Sequence, residues 1–209
     1  MTPSGRSTPL ATSRAVAADT RAPFVLASAS PRRLALLRQA GLEPSVVIAP
    51  EVDETPRKGE LPRAYALRVA AAKSEAVAAK ESGSFVLAAD TVVVAGRRIL
   101  PKADEDHVVE RCLRLLSGRR HRVLTALALK PPGKPMRTRI VETRVAFKVL
   151  SKREIEAYVA SGEGVGKAGG YAVQGRAEAF VRWINGSYSN VVGLPLFETL
   201  GLLEGSGWK

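Results

Sequence analysis

Residues 25–41 read VLASASPRRLALLRQAG and join a short apolar run directly to the beginning of a helix. Ser30 is a typical helix N-cap, Pro31 suits the first helical position, and Gly41 is typical of the residue after a helix end. The stretch therefore predicts a buried β-strand followed at once by an α-helix, which is a building unit of α/β folds.

Four polar side chains crowd the turn of this unit: Ser28, Ser30, Arg32 and Arg33. The first turn of a helix has unpaired backbone N–H groups, and the helix dipole makes that end mildly positive. Two hydroxyl groups and two guanidinium groups added there would bind phosphate oxygens. The alternative is a serine cap beside solvated arginines, which is common for Ser30 taken alone. The complete set favours an anion site.

Strands and helices mix along the rest of the chain. The apolar run FVLAADTVVVA at 85–95 predicts a buried strand, and an Ala-rich helix is expected from about 61 to 81. Ser151 and Glu154 have the spacing of a capping box at the start of a later helix. The pattern predicts an α/β or α+β class with a mixed sheet, in a single domain over residues 24–209.

Composition restricts the location of the protein. No stretch approaches the roughly 18 apolar residues that a membrane span needs, so no membrane partner is expected. The single cysteine, Cys112, excludes an internal disulfide framework and favours the reducing cytoplasm. Residues 1–23 hold three Arg and one Asp among many Ser, Thr and Ala, which predicts a disordered basic tail. A transit peptide is the alternative for this segment.

The formal net charge of +12 indicates a negatively charged partner, such as nucleic acid, an anionic surface or a polyphosphate. Aromatic residues make up only 5% of the chain, which argues against a stacking platform for single-stranded nucleic acid. No specific nucleic-acid partner is therefore expected. A basic nucleic-acid-binding or division-regulating protein without hydrolytic activity remains the alternative function.

Asp90 lies at the centre of the apolar strand 85–95, where an ionised carboxylate is costly unless it is paired or binds a metal. It is therefore a candidate metal ligand or general base, with a backbone-bonded structural aspartate as the alternative. Asp53 and Glu54 offer further carboxylates from an acidic loop, where a solvated turn is the alternative. Oxygen ligands suit Mg²⁺ or Mn²⁺, and the two distant histidines make a zinc site unexpected.

Three further polar residues are weak candidates when each is taken alone. Lys73 lies within the apolar face of the predicted 61–81 helix, and Lys102 follows a strand and a turn. Each would ordinarily be a surface lysine. Gln174 lies in the segment YAVQG, predicted as a strand, where its amide could read the edge of a base.

Taken in order, these stretches resemble the Maf family of nucleoside triphosphate pyrophosphatases. The resemblance runs from about Phe24 to the C-terminal helix. It implies a mixed, elongated sheet flanked by helices, with a deep cleft between two lobes as in Maf and ITPase-like proteins, and a homodimer. The matching segments are LASASPRR, VDE at 52–54, AAAKSEA, ADTVVV, ILPKADED, GKAGGYAVQG and INGSYSNVVGLPL.

The resemblance also implies a reaction: hydrolysis between the α- and β-phosphates to a nucleoside monophosphate and pyrophosphate, with Mg²⁺, Mn²⁺ or Co²⁺. Asp90 would be the proton acceptor that activates water, and Glu54 would help it hold the metal. The implied cellular role is removal of unwanted nucleotides, with a link to cell division arrest. The residues expected to bind the polyphosphate are Ser28, Ser30, Arg33, Lys73 and Lys102.

Subgroups of the family differ at three positions, which here are Arg32, Thr91 and Gln174. This combination is similar to the subgroup that acts on dTTP and UTP, whereas the subgroup acting on 7-methylguanosine triphosphate has Trp, Gln and Glu. Residues 101–103 read PKA where the family usually has Lys-Pro, so the local shape of that loop is expected to differ from the family's.

Overall fold

The computed structural model describes residues 22–208. The predicted disorder of the tail falls almost entirely on residues outside this range. Ala22 and Pro23, which the prediction placed in the tail, contact the domain: the Pro23 carbonyl accepts a hydrogen bond from the Phe85 N–H at 2.8 Å. The Ala22 carbonyl accepts one from the Trp208 indole at 2.9 Å. These two residues therefore belong to the folded part.

The described chain mixes strands and helices, as expected for an α/β or α+β class. A 3₁₀ helix, Arg176–Phe180, precedes the last strand. The strands are β1 Phe24–Ala27, β2 Val46–Ile48, β3 Phe85–Ala95, β4 Arg98–Leu100, β5 Lys102–Ala103, β6 Arg120–Lys130, β7 Arg137–Phe147, β8 Lys167–Ala168 and β9 Val181–Asn185. The helices are α1 Pro31–Gln39, α2 Pro62–Ala78, α3 Asp106–Leu116, α4 Lys152–Ala160, α5 Tyr188–Val192 and α6 Leu196–Gly205.

The main sheet is mixed and has the order β2-β1-β3-β6-β7-β9, with β4 also paired to β3. The first three strands of this order are parallel, and the remaining pairs are antiparallel. Strands β5 and β8 form a separate two-stranded sheet. The predicted fold class, a mixed sheet flanked by helices, is confirmed.

One edge of β3 has a gap that positions the functional site. On this side β1 pairs with residues 85–88, and β4 pairs with residues 93–95. The residues between them, 89–92, have neither strand beside them. Asp90 and Thr91 lie in this gap, so the polar interruption of the apolar run coincides with an opening in the sheet. The carboxyl end of β1 and the beginning of α1 lie at the same place.

Each face of β3 is apolar at both ends and polar at the gap. On the face that packs against α2, Asp90 separates two apolar clusters, one containing Val86 and the other Val92. On the opposite face Thr91 separates a cluster around α1 and α6 from a larger one around α3 and α4. The core is thus divided at the level of the gap, in agreement with the expected two lobes.

Two details differ from the sequence prediction. Helix α2 is shorter than the expected 61–81 because it ends at Ala78 and a turn leads to β3. The YAVQG segment is not a strand: residues 171–174 are irregular and turn, with the Gly175 N–H donating to the Ala172 carbonyl at 3.1 Å. Within residues 22–208, no helix has the length and apolar character needed to cross a bilayer.

Candidate active site

A cleft of about 760 Å³ opens at the gap in β3. Its walls come from the β1–α1 turn, the acidic loop before α2, strand β3, strands β5 and β8, and the segment after β8. Asp53 does not line it: this residue is exposed and its Oδ1 accepts the Thr55 N–H at 2.8 Å, which fits the alternative of a solvated turn. All the other predicted site residues line the cleft. They are Ser28, Ser30, Arg32, Arg33, Glu54, Lys73, Asp90, Thr91, Lys102 and Gln174.

An ion-paired triad lies on the α2 side of the cleft. The Lys73 ammonium is 2.9 Å from Asp90 Oδ1 and 3.0 Å from Glu54 Oε1. The side chains of Lys73 and Asp90 are 9% and 8% exposed, whereas that of Glu54 is 49% exposed. Taken alone, Lys73 is predicted to be a surface lysine, and this prediction is wrong. A helix that packs its small Ala-rich face against β3 brings the ammonium directly onto the buried carboxylate.

The β1–α1 turn forms the opposite wall. The Ser28 hydroxyl accepts hydrogen bonds from the Ser30 N–H and from Arg33 Nη1, each at 3.1 Å. Helix α1 begins after Ser30 as predicted, but the Ser30 side chain makes no capping hydrogen bond. Ser28 satisfies the local N–H instead. The Ser30 hydroxyl therefore stays available to a ligand in the cleft.

Arg33 is fixed by three protein groups. Its Nε donates to the Gly193 carbonyl at 2.8 Å, and its Nη2 donates to Thr91 Oγ1 at 3.1 Å. Together with the bond to Ser28, these use three of the five N–H donors of a guanidinium and leave two for a ligand. Burial lowers the pKa of Arg33, and the charge of Asp90 opposes this shift. The Arg33 guanidinium is therefore a cation that is held in a fixed position near Asp90.

Three cations at the other side of the cleft have no carboxylate partner. Among residues 22–208, no carboxylate lies within 4.0 Å of Arg32, Lys102 or Lys167. Burial lowers the pKa of Lys167, and the charges of Arg32 and Lys102 lower it further. Mutual proximity of like charges is unfavourable without an anion between them. The three groups therefore form a ready site for a polyanion.

Two cleft residues were missed by sequence reasoning. Lys167 occurs in GKAGG, a segment similar to a phosphate-binding loop that departs from the Walker A pattern at both ends. Tyr65 had no distinguishing signal on the Ala-rich helix. Its hydroxyl donates to the Glu54 carbonyl at 2.8 Å and so fixes the acidic loop. Burial, with the charges of Asp90 and Glu54, raises the pKa of Tyr65 to about 12.

Thr91 and Gln174 have contrasting environments. Thr91 Oγ1 accepts from Arg33 and is 3.0 Å from Thr125 Oγ1, so it belongs to a network of protein hydrogen bonds. Gln174 is exposed although the three residues before it are buried. The Gln174 side chain makes no hydrogen bond to another residue in the described range 22–208. Its amide therefore faces the cleft with its donor and acceptor free.

A buried histidine lies behind the Gln174 segment. His121 Nε2 is 2.8 Å from the Tyr171 hydroxyl, and burial lowers the pKa of His121 to about 4. His121 Nδ1 has no hydrogen-bond partner among the described residues. A neutral ring with an unprotonated Nδ1 is the least costly state, since an orphaned donor or a buried charge would be worse.

Replacing His121 by Gln will flatten the pH dependence of stability between pH 6.5 and pH 4. In this range the unfolded histidine binds a proton and the folded one does not, because their pKa values are 6.5 and about 4. The free energy of unfolding of the wild type therefore falls as pH falls, by up to about 1.4 kcal/mol per pH unit from this group. Urea unfolding at several pH values measures the slope. Exposed His107, changed to Gln, is the control, and equal slopes in wild type and His121→Gln would contradict the assignment.

The donors for a metal are two converging carboxylates. Within residues 22–208, no group of three or more His, Cys, Asp or Glu is arranged around a common point. Glu54 Oε1 and Asp90 Oδ1 nevertheless both lie within 3.0 Å of the Lys73 ammonium, so their oxygens already surround one cation. Mg²⁺ is usually bound by one or two carboxylates together with substrate phosphates and water. The donor set fits such a cation when a phosphate supplies the remaining ligands.

Comparison with known proteins identifies relatives that are similar over most of the chain. The chain is 57% identical over 185 residues to the dTTP/UTP pyrophosphatase of Zymomonas mobilis, covering 88% of this chain and 92% of that protein. It is 58% identical over 187 residues to the dTTP/UTP pyrophosphatase of Rhodospirillum rubrum, covering 90% and 89%. The Staphylococcus aureus Ham1 protein superimposes with a TM-score of 0.43 at 18% identity over 60% of this chain and 71% of that one, which is too weak to support any conclusion.

A family model described as Maf-like protein matches residues 23–206 of the 209. The match spans the β1–α1 turn, the gap in β3 and the segment that carries Gln174. The chain therefore belongs to the Maf-like protein family.

Proposed function

We propose that this chain hydrolyses dTTP and UTP to the nucleoside monophosphate and pyrophosphate, with a divalent cation. The observation that carries the proposal is the buried Asp90 carboxylate, ion-paired to Lys73 and facing the β1–α1 turn across one cleft. The names of relatives more than half identical over about nine-tenths of the chain support the reaction and the substrates.

The charges of the cleft suit a triphosphate. Five cationic and three carboxylate side chains line it. Arg32, Lys102 and Lys167 would bind the departing pyrophosphate. Arg33, which bonds to Ser28 and to Thr91 next to the acid, would bind the attacked phosphate together with Ser28 and Ser30. Cations placed at developing negative charge stabilise the transition state more than the ground state. Modified pyrimidine nucleotides with the same triphosphate are further substrates under this proposal.

Asp90 acts as the general base. A water molecule attacks the α-phosphorus, its proton passes to Asp90, and the bond between the α-phosphorus and the bridging oxygen breaks to release pyrophosphate. Lys73 orients the carboxylate through its 2.9 Å ion pair. Glu54 and Asp90 would hold a divalent cation, which would neutralise phosphate charge and make water easier to deprotonate.

A panel of triphosphates tests the proposal directly. We expect pyrophosphate and nucleoside monophosphate from dTTP and UTP, with much lower kcat/KM for dGTP and 7-methylguanosine triphosphate. Activity should require Mg²⁺, Mn²⁺ or Co²⁺ and be lost with a chelator. Chromatography of the products distinguishes pyrophosphate from orthophosphate. Release of orthophosphate alone, or no turnover with any of the three cations, would refute the proposal.

The alternative of a nucleic-acid-binding or division-regulating protein without hydrolysis rests on net charge alone. Steeply salt-dependent binding to duplex DNA, with no turnover in the panel, would favour it. The proposal further includes a homodimer, which is supported by the family resemblance. It also includes a cytoplasmic location, which is supported by the single cysteine. Sedimentation of the purified protein measures the oligomeric state.

A further inference from the structure

The turn that carries Gln174 begins with a pair of glycines whose conformation is strongly restricted. Gly169 and Gly170 have φ values of 66° and 70°, in the left-handed region. A Cβ on Gly169 would lie 2.8 Å from the Val93 side chain, and one on Gly170 would lie 3.1 Å from Val109 Cα. The chain therefore passes tightly over β3 and α3 before it reaches residues 171–174.

Two tyrosine hydroxyls hold the residues that follow. The Tyr171 hydroxyl is 2.8 Å from His121 Nε2 on β6. The Tyr158 hydroxyl on α4 accepts the Ala172 N–H at 3.0 Å. Since residues 171–174 belong to no helix or strand, these bonds replace the regular pairing that would otherwise fix the backbone.

The anchoring side chains are themselves packed rigidly. The His121, Phe147 and Tyr171 rings contact one another edge to face, with centroids 5.0–5.5 Å apart. The Tyr158 ring contacts Phe180 at 5.4 Å between centroids. A ring held by neighbours on several sides has little freedom to move its hydroxyl. The hydrogen bonds of the Tyr158 and Tyr171 hydroxyls therefore fix residues 171–174 relative to the core.

We propose that Tyr158 and Tyr171, the latter backed by His121, are positioning residues that make base selection possible by fixing the turn that presents Gln174. The inference rests on the proposed function, together with the expectation from the sequence that the Gln174 amide reads the edge of the base. The Gln174 amide can accept from N3–H and donate to O4 of thymine, and the position of its backbone determines whether both contacts can form at once. The Tyr158 and Tyr171 hydroxyls already bond to Ala172 and His121, so the proposal gives them no contact with the triphosphate.

The test compares dTTP with dCTP in Tyr158→Phe and Tyr171→Phe. Each change removes one hydroxyl and keeps the ring. We expect the ratio of kcat/KM for dTTP to that for dCTP to fall about fivefold, the effect of one buried hydrogen bond. The loss should come from a higher KM for dTTP with little change in kcat. Inorganic tripolyphosphate, which has no base, should inhibit both variants and the wild type with the same inhibition constant.

Tyr65→Phe is the matched control, because it removes a tyrosine hydroxyl from the acid side of the same cleft. Tyr65→Phe should leave the ratio of kcat/KM for dTTP to that for dCTP unchanged, even if kcat falls for both nucleotides. Gln174→Ala is the reference for complete loss of base reading. Thermal unfolding establishes that each variant is folded, and if Tyr158→Phe does not fold, Tyr171→Phe decides the result.

The inference would be overturned if the ratio of kcat/KM for dTTP to that for dCTP stayed within about twofold of the wild type in the folded tyrosine variants. It would also be overturned if tripolyphosphate inhibition weakened as much as the binding of dTTP. An unchanged ratio in Gln174→Ala would also overturn it. Absence of hydrolysis in the wild type would refute the proposed function separately. Calorimetric affinities for dTTP and dCTP would then supply the same ratio.

Discussion

Replacing Asp90 by Asn will lower kcat for dTTP by at least about a thousandfold, because the amide has no basic oxygen to take the proton of the attacking water. Folding will be retained, since Lys73 keeps its second ion pair with Glu54 at 3.0 Å. Steady-state kinetics and urea unfolding measure the two effects. The KM for dTTP should change far less than kcat.

Asp104→Asn is the matched control for this substitution. Asp104 is an exposed carboxylate that lines the same cleft. The same loss of one negative charge there should change kcat by less than about threefold. A kcat in Asp90→Asn within tenfold of the wild type would remove Asp90 from the reaction and leave it as a partner of Lys73.

Replacing Lys73 by Met will destabilise the protein by about 3 kcal/mol and abolish turnover. Lys73 is the ion-pair partner of Asp90 among residues 22–208, so the methionine leaves a buried carboxylate without a cation in contact. Breaking a buried pair from one side costs far more than deleting both charges. Urea unfolding of the free protein measures the change. Lys80→Met, an exposed lysine just beyond α2, is the control and should change stability by less than about 0.5 kcal/mol.

The double variant Lys73→Met with Asp90→Asn sharpens this prediction. It removes both charges of the pair, so it should recover most of the lost stability while remaining inactive. Stability equal to that of Lys73→Met alone would show that the loss comes from packing of the lysine stem. Wild-type stability in Lys73→Met would show that the buried pair contributes nothing.

The local parts of the fold were predictable because they depend on neighbours in the chain. The β1–α1 turn and the capping box before α4 follow from Ser, Pro, Glu and Gly at particular positions, and both occur. The capping box has both reciprocal hydrogen bonds between Ser151 and Glu154. Asp90 was conspicuous because a charge in an apolar strand needs a physical reason.

The assembly of the site was much less predictable from individual residues. That Lys73 is buried depends on the docking of α2 against β3, which no local pattern records. The resemblance to a family indicated Lys73 and Lys102, whereas the chemistry of each lysine alone favoured the surface. The irregular path of residues 171–174 depends on contacts with α4 and β6, about 14 and 50 residues away in the chain. A short apolar stretch between glycines therefore read as a strand.

The opening in the sheet has a mechanical consequence. Behind it, β3 and β6 remain joined through nine consecutive residue pairs, from Val86–Lys130 to Val94–Arg122. Hinge bending at Asp90 and Thr91 would have to break several of these pairs together. Bending of the sheet at the opening is therefore expected to be small, so the two parts of the cleft that β3 carries keep a nearly constant separation.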